Sequence, residues 1–396
     1  MSKAKHLHSI CVKEAQRNES THPHQLPIFA TSSFVFDNLE QGINIFNKSK
    51  KGHSYSRYGN PTIDTVANKI TQLECYDIQE EGFGFLTSSG MSAISTACMA
   101  FLKAGDQMLT QANLYGGTTE FFNKVLSPMG VEPIMTNLKA ISHVEKILQE
   151  NSAIKVIYIE SPSNPTMSIV DLKAITTLAK KHNITTILDN TFCTPLIQRP
   201  LTHGIDIVVH STTKFLNGHG NSIAGIIVGT QEEHKSAIWT KMKLLGTNCS
   251  PWDAWLINNG LKTLALRMQK HSDNALAIAK YLSQKDGIKS VNYNGLEDNP
   301  DHELAKRQMD MFGGMLSFEI DGDLNDTIRF VNKLKFCTLA PTLGDVDTLV
   351  LHPATSSHMN VDSEIRTANG ISDSLVRMSV GIEDVNDIIA DIDQAL

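Results

Sequence analysis

Asp206-Ile207-Val208-Val209-His210-Ser211-Thr212-Thr213-Lys214-Phe215-Leu216-Asn217-Gly218-His219-Gly220 is the stretch on which the fold turns. β-Branched residues lead straight into hydroxyls, then a lysine, then glycines, as in a buried strand that ends in a reactive loop. Packing at a strand end does not call for an ammonium, because burying a charge is costly unless it is paired. A lysine so placed either reaches the surface or forms a Schiff base with a carbonyl, often that of pyridoxal phosphate (PLP). In the second case Ser211 and Thr213 are free to bond a phosphate.

Outward from this stretch, short apolar runs alternate with helical patterns between about 80 and 230. The spacing predicts strands at 82–86, 107–109, 132–135, 156–160, 186–189, 205–210 and 223–228, with helices near 91–103, 116–129, 140–150 and 171–182. Such alternation predicts an α/β fold with a mostly parallel seven-stranded sheet covered on both faces. Ligands of such sheets gather beyond the carboxyl ends of the strands. The chemistry-bearing residues fall there: Ser88-Ser89-Gly90, Glu160-Ser161-Pro162, Asp189-Asn190 and Ser211 to Lys214.

On the amino-terminal side, residues 1–60 lack periodicity and are expected to form an arm lying on another surface, such as a neighbouring subunit. The arm ends in Tyr55-Ser56-Arg57-Tyr58-Gly59-Asn60-Pro61-Thr62, where Asn60-Pro61 starts a helix over 63–73. On the carboxyl side, Ser250-Pro251-Trp252-Asp253 starts a long helical segment that runs, with a break, to about Gln284. Strands at 289–293 and 315–320, a helix over 325–335 and a final helix after Gly381 follow. The division expected is an arm (1–60), a large domain (61–255) and a smaller C-terminal α+β domain (256–396).

The chain has 396 residues, 41% hydrophobic and 19% charged, enough for a sizeable core. A formal charge of −7 argues against nucleic acid or an anionic membrane as the main partner. Six scattered cysteines with no CxxC pair exclude the usual zinc spacings and suggest a reducing compartment. With no 18-residue apolar run and no signal-like start in Met1 to His8, the expectation is a cytoplasmic protein. His210, His219, His352 and His358 lack metal-site spacing, so no metal is expected. Gly218-His219-Gly220 does not open a helix after a strand and fails as a dinucleotide fingerprint.

Four further features have a chemical reading beside an ordinary one. Ser88-Ser89-Gly90-Met91 closes a strand and opens a helix, so it is either a Ser-capped helix or an anion site with close backbone approach at Gly90. Asp189 ends an apolar strand as a cap or turn residue, or as the partner of a protonated pyridine nitrogen. Tyr115, before Gly116-Gly117, is a core tyrosine or a ring stacked on a flat cofactor with a hydroxyl able to move protons. Arg377, inside the apolar run Leu375 to Val380, is a salt-bridge residue or a clamp on an α-carboxylate.

Together these residues resemble the Cys/Met-metabolism family of PLP enzymes, which includes cystathionine γ-synthase, cystathionine lyases, methionine γ-lyase and O-acylhomoserine sulfhydrylases. The resemblance runs from about residue 25 to the C-terminus. It rests on Tyr55-Ser56-Arg57, Asn60-Pro61-Thr62, Ser89-Gly90-Met91, Glu160-Ser161-Pro162-Ser163-Asn164-Pro165, Asp189-Asn190-Thr191, His210-Ser211-Thr212-Thr213-Lys214, and Arg377 followed by Ser379-Val380-Gly381-Ile382-Glu383. It implies the fold type I architecture of PLP-dependent transferases, with Lys214 as the Schiff-base lysine and proton shuttle. Asp189 would pair with the pyridine nitrogen and Tyr115 stack on the ring; Gly90, Met91, Ser211 and Thr213 would hold the phosphate. Tyr55 and Arg57 would reach the phosphate of a neighbouring subunit, which implies a dimer with shared sites, usually paired into a tetramer. Asn164, Arg377 and residues near Thr342 would bind the substrate's α-carboxylate.

Two positions depart from the family pattern. Methionine γ-lyases usually carry a cysteine two residues after the stacking tyrosine, where this chain has Gly117. The family's usual Ser-Leu-Gly is here Thr342-Leu343-Gly344, which keeps the hydroxyl. Residues 375–396 are nonetheless similar to methionine γ-lyase. The resemblance implies a C–S lyase acting by β- or γ-elimination on cystathionine or a related amino acid. The alternative is a γ-replacement enzyme, an O-acylhomoserine sulfhydrylase or cystathionine γ-synthase. A catalytically silent PLP-fold binding protein and a nicotinamide oxidoreductase are more remote.

Overall fold

Seven strands form the sheet that carries the opening stretch in the computed structural model, which describes residues 6–13, 23–359, 361 and 363–396. Arm residues 1–5 and 14–22 lie outside the described residues. The strands are β1 (Phe83–Thr87), β2 (Gln107–Thr110), β3 (Glu132–Met135), β4 (Ile154–Glu160), β5 (Thr185–Asp189), β6 (Ile207–Ser211) and β7 (Gly225–Gly229). Their order is β1-β7-β6-β5-β4-β2-β3. β2 to β6 pair in parallel, and β7 runs antiparallel to both its neighbours. The reversal fits the connection: residues 212–224 contain no helix, and a parallel return usually runs through a helical crossover.

Side chains alternate along the central strands into two apolar layers. Ile157, Ile159, Leu188 and Val208 pack on the side of the helix Pro61–Glu74, whereas Val156, Ile187, Ile207 and Val209 pack on the side of the helix Gly90–Phe101. Each such buried side chain contributes about 1.5–3 kcal/mol, which fixes the register of β4, β5 and β6. Glu160 is thereby opposite Asp189, and Asp189 opposite Val209. β4 and β5 therefore end level, and β6 runs on past them to Ser211, which places the site.

The helix expected over 116–129 is made of three pieces: an α-helix Gly116–Phe121, a π turn Phe122–Leu126 and a 3₁₀ turn Ser127–Met129. Pro128 has no N–H with which to continue an α-helical ladder. The helical segment after Ser250 breaks as expected, into Pro251–Leu261 and Leu264–Leu282.

A second sheet contains β8 (Ile288–Asn292), β9 (Met315–Ile320), β10 (Thr338–Leu339), β11 (Leu349–Leu351) and β12 (Leu375–Ser379), in the order β10-β11-β12-β9-β8. Its core includes Ile278, Phe318, Phe330, Val376 and Ile392. The last helix, Val385–Ala395, is capped by the Asp384 carboxylate, which accepts from Asn386 N.

Several elements were not expected. The arm is not wholly irregular: it holds helices Leu7–Val12 and Leu39–Phe46, the latter capped by Asn38. Helices Glu232–Leu245, His302–Gln308 and Ser363–Ala368 and the short strands β10 and β11 are also additional. Glu232–Leu245 buries only Ile238 and Met242, so its apolar stripe is weak in the sequence. Among the described residues no helix is long and apolar enough to cross a membrane.

Candidate active site

A cavity of about 760 Å³ lies at the ends of β4, β5 and β6, with Glu160, Asp189 and Ser211 in its wall. Ten of the residues singled out in the sequence line it: Gly90, Met91, Tyr115, Asn164, Asp189, Ser211, Thr213, Lys214, Thr342 and Arg377. Tyr55 and Arg57 do not. Tyr55 is 42% exposed, and Arg57 donates from Nη1 to the Lys243 carbonyl at 2.6 Å.

Gly90 opens its helix against Ser211. A Cβ on Gly90 would lie 2.6 Å from the Ser211 Cβ, so no larger residue fits without displacing the strand end. Ser89 caps this helix by accepting from Ser92 N at 3.0 Å, leaving the helix start and its positive end facing the cavity. Ser211 N donates to Thr191 Oγ1 at 2.9 Å, tying β6 to the turn after β5. The Thr213 hydroxyl, expected to be free, is instead engaged by Ala224: it donates to the carbonyl at 3.2 Å and accepts from the N–H at 3.1 Å. The loop back to β7 brings that backbone alongside.

Asp189 accepts from Thr191 N at 3.0 Å and has no ion-pair partner among the described residues. Burial holds its pKa above the ordinary value, against the hydrogen bonds from Thr191. A partly buried carboxylate in this position calls for a cation. Lys214 Nζ donates to Thr342 Oγ1 at 2.9 Å, and burial, with Arg377 nearby, lowers its pKa to about 8.

Arg377, on β12, is buried and brings the second sheet into the site. Its Nη1 donates to Asn164 Oδ1 at 3.2 Å and its Nη2 to the Thr342 carbonyl at 3.0 Å, while Nε has no protein partner. Burial lowers its pKa to about 10, so it remains charged at neutral pH. Tyr115 precedes the helix Gly116–Phe121 and is 42% exposed. A Cβ on Gly117 would lie 2.6 Å from Tyr115 Cε1, so the missing side chain there permits the present position of the ring.

Sequence reasoning gave no role to Glu160, whose carboxylate accepts the N–H groups of Tyr115 (2.9 Å) and Asn164 (2.8 Å). Its place after a β-branched run was visible, but partners that are backbone groups leave no side-chain motif. The set as a whole fits PLP: a glycine cradle at a helix start for phosphate, a partly buried carboxylate with no ion-pair partner among the described residues for a protonated ring nitrogen, and a lysine of lowered pKa for the aldehyde.

Comparison with known proteins agrees with this fit. The profile of the Cys/Met metabolism PLP-dependent enzymes matches residues 8–396. The chain is 43% identical over 373 residues to the L-methionine γ-lyase of Fusobacterium nucleatum, covering 94% of this chain and 93% of that one. It is 39% identical over 371 residues to a cystathionine β-lyase of Lactococcus lactis, again covering 94% and 93%. A putative O-acetylhomoserine (thiol)-lyase from Campylobacter jejuni, solved with a pyridoxyl-lysine 5′-monophosphate, superposes with a TM-score of 0.93 at 31% identity, covering 98% of this chain and 99% of that one. The fold is fold type I, the cofactor is pyridoxal 5′-phosphate, and the chain belongs to the Cys/Met metabolism PLP-dependent enzymes.

Proposed function

We propose that the enzyme cleaves the C–S bond of cystathionine or a closely related sulfur amino acid, releasing a keto acid, ammonia and a thiol. The observation that carries this reading is the convergence of Lys214, Asp189, Tyr115 and Arg377 on one cavity. Bound PLP supplies an electron sink for the substrate's α-carbon. Gly90, Met91 and Ser211 hold its phosphate at the helix start, with Thr213 beside them; Asp189 pairs with the ring nitrogen and Tyr115 covers the ring. Arg377 and Asn164 bind the α-carboxylate, next to Thr342. That contact fixes which bond at the α-carbon faces Lys214. Lys214 Nζ takes the α proton, and Lys214 or the Tyr115 hydroxyl returns a proton to the departing sulfur.

Tyr55 and Arg57 belong in this reading to the phosphate site of a neighbouring subunit, so the working unit is a dimer with shared sites, paired into a tetramer in the cytoplasm. The arm (1–60) makes that contact, residues 61–255 carry the cofactor, and residues 256–396 supply Thr342 and Arg377. The exposed Tyr55 supports the assignment, as it does not line the cavity of its own chain.

The test is keto acid release from cystathionine, methionine and O-acylhomoserines, with and without sulfide. Release from cystathionine is expected; its absence would remove the lyase reading. The likeness to a putative O-acetylhomoserine (thiol)-lyase supports a second reading, γ-replacement, which predicts sulfide-dependent loss of O-acylhomoserine without keto acid.

A further inference from the structure

Glu160 ends β4 with only 5% of its surface exposed. Each carboxylate oxygen accepts one backbone N–H: Oε2 that of Tyr115 at 2.9 Å, and Oε1 that of Asn164 at 2.8 Å. The two donors belong to different segments of the cavity lining. Tyr115 begins the helix Gly116–Phe121, whereas Asn164 lies in the loop after β4 and accepts from Arg377. Glu160 is itself held at the backbone by one side chain. Gln111 Nε2 donates to its carbonyl at 2.9 Å, and Gln111 Oε1 accepts from its N–H at 3.2 Å.

We propose that Glu160 is a positioning residue that couples the aromatic ring of Tyr115 to the carboxylate-binding amide of Asn164. One side chain then sets both the backbone from which the cofactor-covering ring projects and the place of the substrate's carboxylate. The inference rests on the roles proposed for Tyr115 and Asn164.

The side-chain chemistry explains why an acid stands there. Glu160 has no ion-pair partner among the described residues; burial, then the neighbouring Asp189, push its pKa up, against the two N–H donors, whose convergence on both oxygens favours the ionised form. An uncompensated buried carboxylate is a poor choice for stability alone. Glutamine has the same length, but it offers one acceptor oxygen and turns an NH₂ donor toward the second N–H. Among side chains of this reach, only a carboxylate accepts from both.

Glu160→Gln in the PLP-loaded enzyme therefore keeps one contact and sets donor against donor at the other. The expected results are a loss of about 10- to 100-fold in kcat/KM, a changed visible circular dichroism of bound PLP, and roughly tenfold weaker binding of 4-(methylthio)butyrate, an unreactive carboxylate with no amino group. Asn164→Ala weakens the same ligand, and the double variant weakens it no further, because both act on one contact. Wild-type carboxylate affinity and circular dichroism in loaded Glu160→Gln would overturn the proposal. So would a variant that loses stability and PLP content while each loaded site binds carboxylate normally. If Glu160→Gln does not fold, Glu160→Asp retains the charge but withdraws it by one methylene. The same losses are then expected in the same measurements, and wild-type behaviour overturns the proposal equally. Unchanged affinity in Asn164→Ala would instead fault the carboxylate role of Asn164. The coupling would then stand or fall on the circular dichroism of loaded Glu160→Gln.

Discussion

The wall made by the ends of β4, β5 and β6 and the arm around Tyr55 and Arg57 both carry chemistry-bearing residues, but only the residues of the wall line the cavity of this chain. In the wall, Ser211 is tied to Thr191, Lys214 to Thr342 and Arg377 to Asn164, across elements fixed by two apolar layers. In the arm, Arg57 lies 5.0 Å from the Tyr58 ring and borrows a carbonyl from Lys243. The nearby helix Leu39–Phe46 leaves Leu39 80% and Phe46 64% exposed. Apolar surface left open beside an arginine that lies over the Tyr55 and Tyr58 rings suits contact with a second chain. The difference separates residues whose geometry is closed by contacts within this chain from residues for which the proposed function assigns a partner in a second one.

Lys214→Ala is the largest break that can be made in the wall. It removes the proposed proton carrier, and turnover should fall by at least about 10⁴-fold, the upper range for a positioned acid–base group. PLP should stay bound but escape fixation by borohydride, as read by mass spectrometry of the peptide holding position 214. A variant with a near-normal rate would end the assignment. Arg57→Ala attacks the arm instead. Loss of a charge-assisted phosphate contact should weaken PLP binding about 10- to 100-fold.

Mixing the two variants, at a PLP concentration low enough to leave Arg57→Ala unloaded, tests the contrast directly. In a mixed dimer with shared sites, one site carries both lesions and the other carries neither, so activity should return. Mixtures that stay inactive, although exchange of subunits is verified by mass, would place Arg57 in its own chain's chemistry or outside it altogether.

A third effect is graded by pH and belongs to the wall alone. Lys214 loses its proton at about 8 because burial, and then Arg377, disfavour the ammonium. A lowered lysine pKa means that the neutral, nucleophilic amine predominates above about pH 8 and declines roughly tenfold per unit below it. Attachment of PLP to the apoprotein should therefore speed up as pH rises and level off above about 8, followed by stopped-flow absorbance. A rate still climbing toward pH 10 would show that burial does not control this amine.

What the sequence made legible follows the same division. β4 to β6 were readable because β-branched runs end in acids or hydroxyls, and parallel pairing of such runs brings Asp189 and Lys214 to one cavity. Less legible was whatever depends on backbone groups meeting over distance. Arg377 donates to the Thr342 carbonyl, Thr213 trades hydrogen bonds with Ala224, and Glu160 accepts from Tyr115. A carbonyl or an N–H has no letter of its own. The helix Leu39–Phe46 escaped notice for another reason: its apolar side faces outward from this chain, so no core demanded it.

Gly117→Cys is the smallest expected effect, and it probes where the rigid wall gives way to adjustable surface. The added Cβ would sit 2.6 Å from Tyr115 Cε1 and 3.1 Å from Cζ, closer than carbon atoms tolerate. One of the two must yield, and the ring is the cheaper choice, because Tyr115 is 42% exposed whereas its backbone N–H is pinned by Glu160. The ring should turn about its own side-chain bonds and narrow the space beyond the β-carbon, which disfavours a substrate with a bulky distal arm. The ratio of methionine to cystathionine turnover should rise about tenfold, within the range that one added group in a pocket supplies. An unchanged ratio would mean that the ring swings clear at no expense to binding. Discrimination would then lie deeper in the cavity, on groups held as firmly as Arg377.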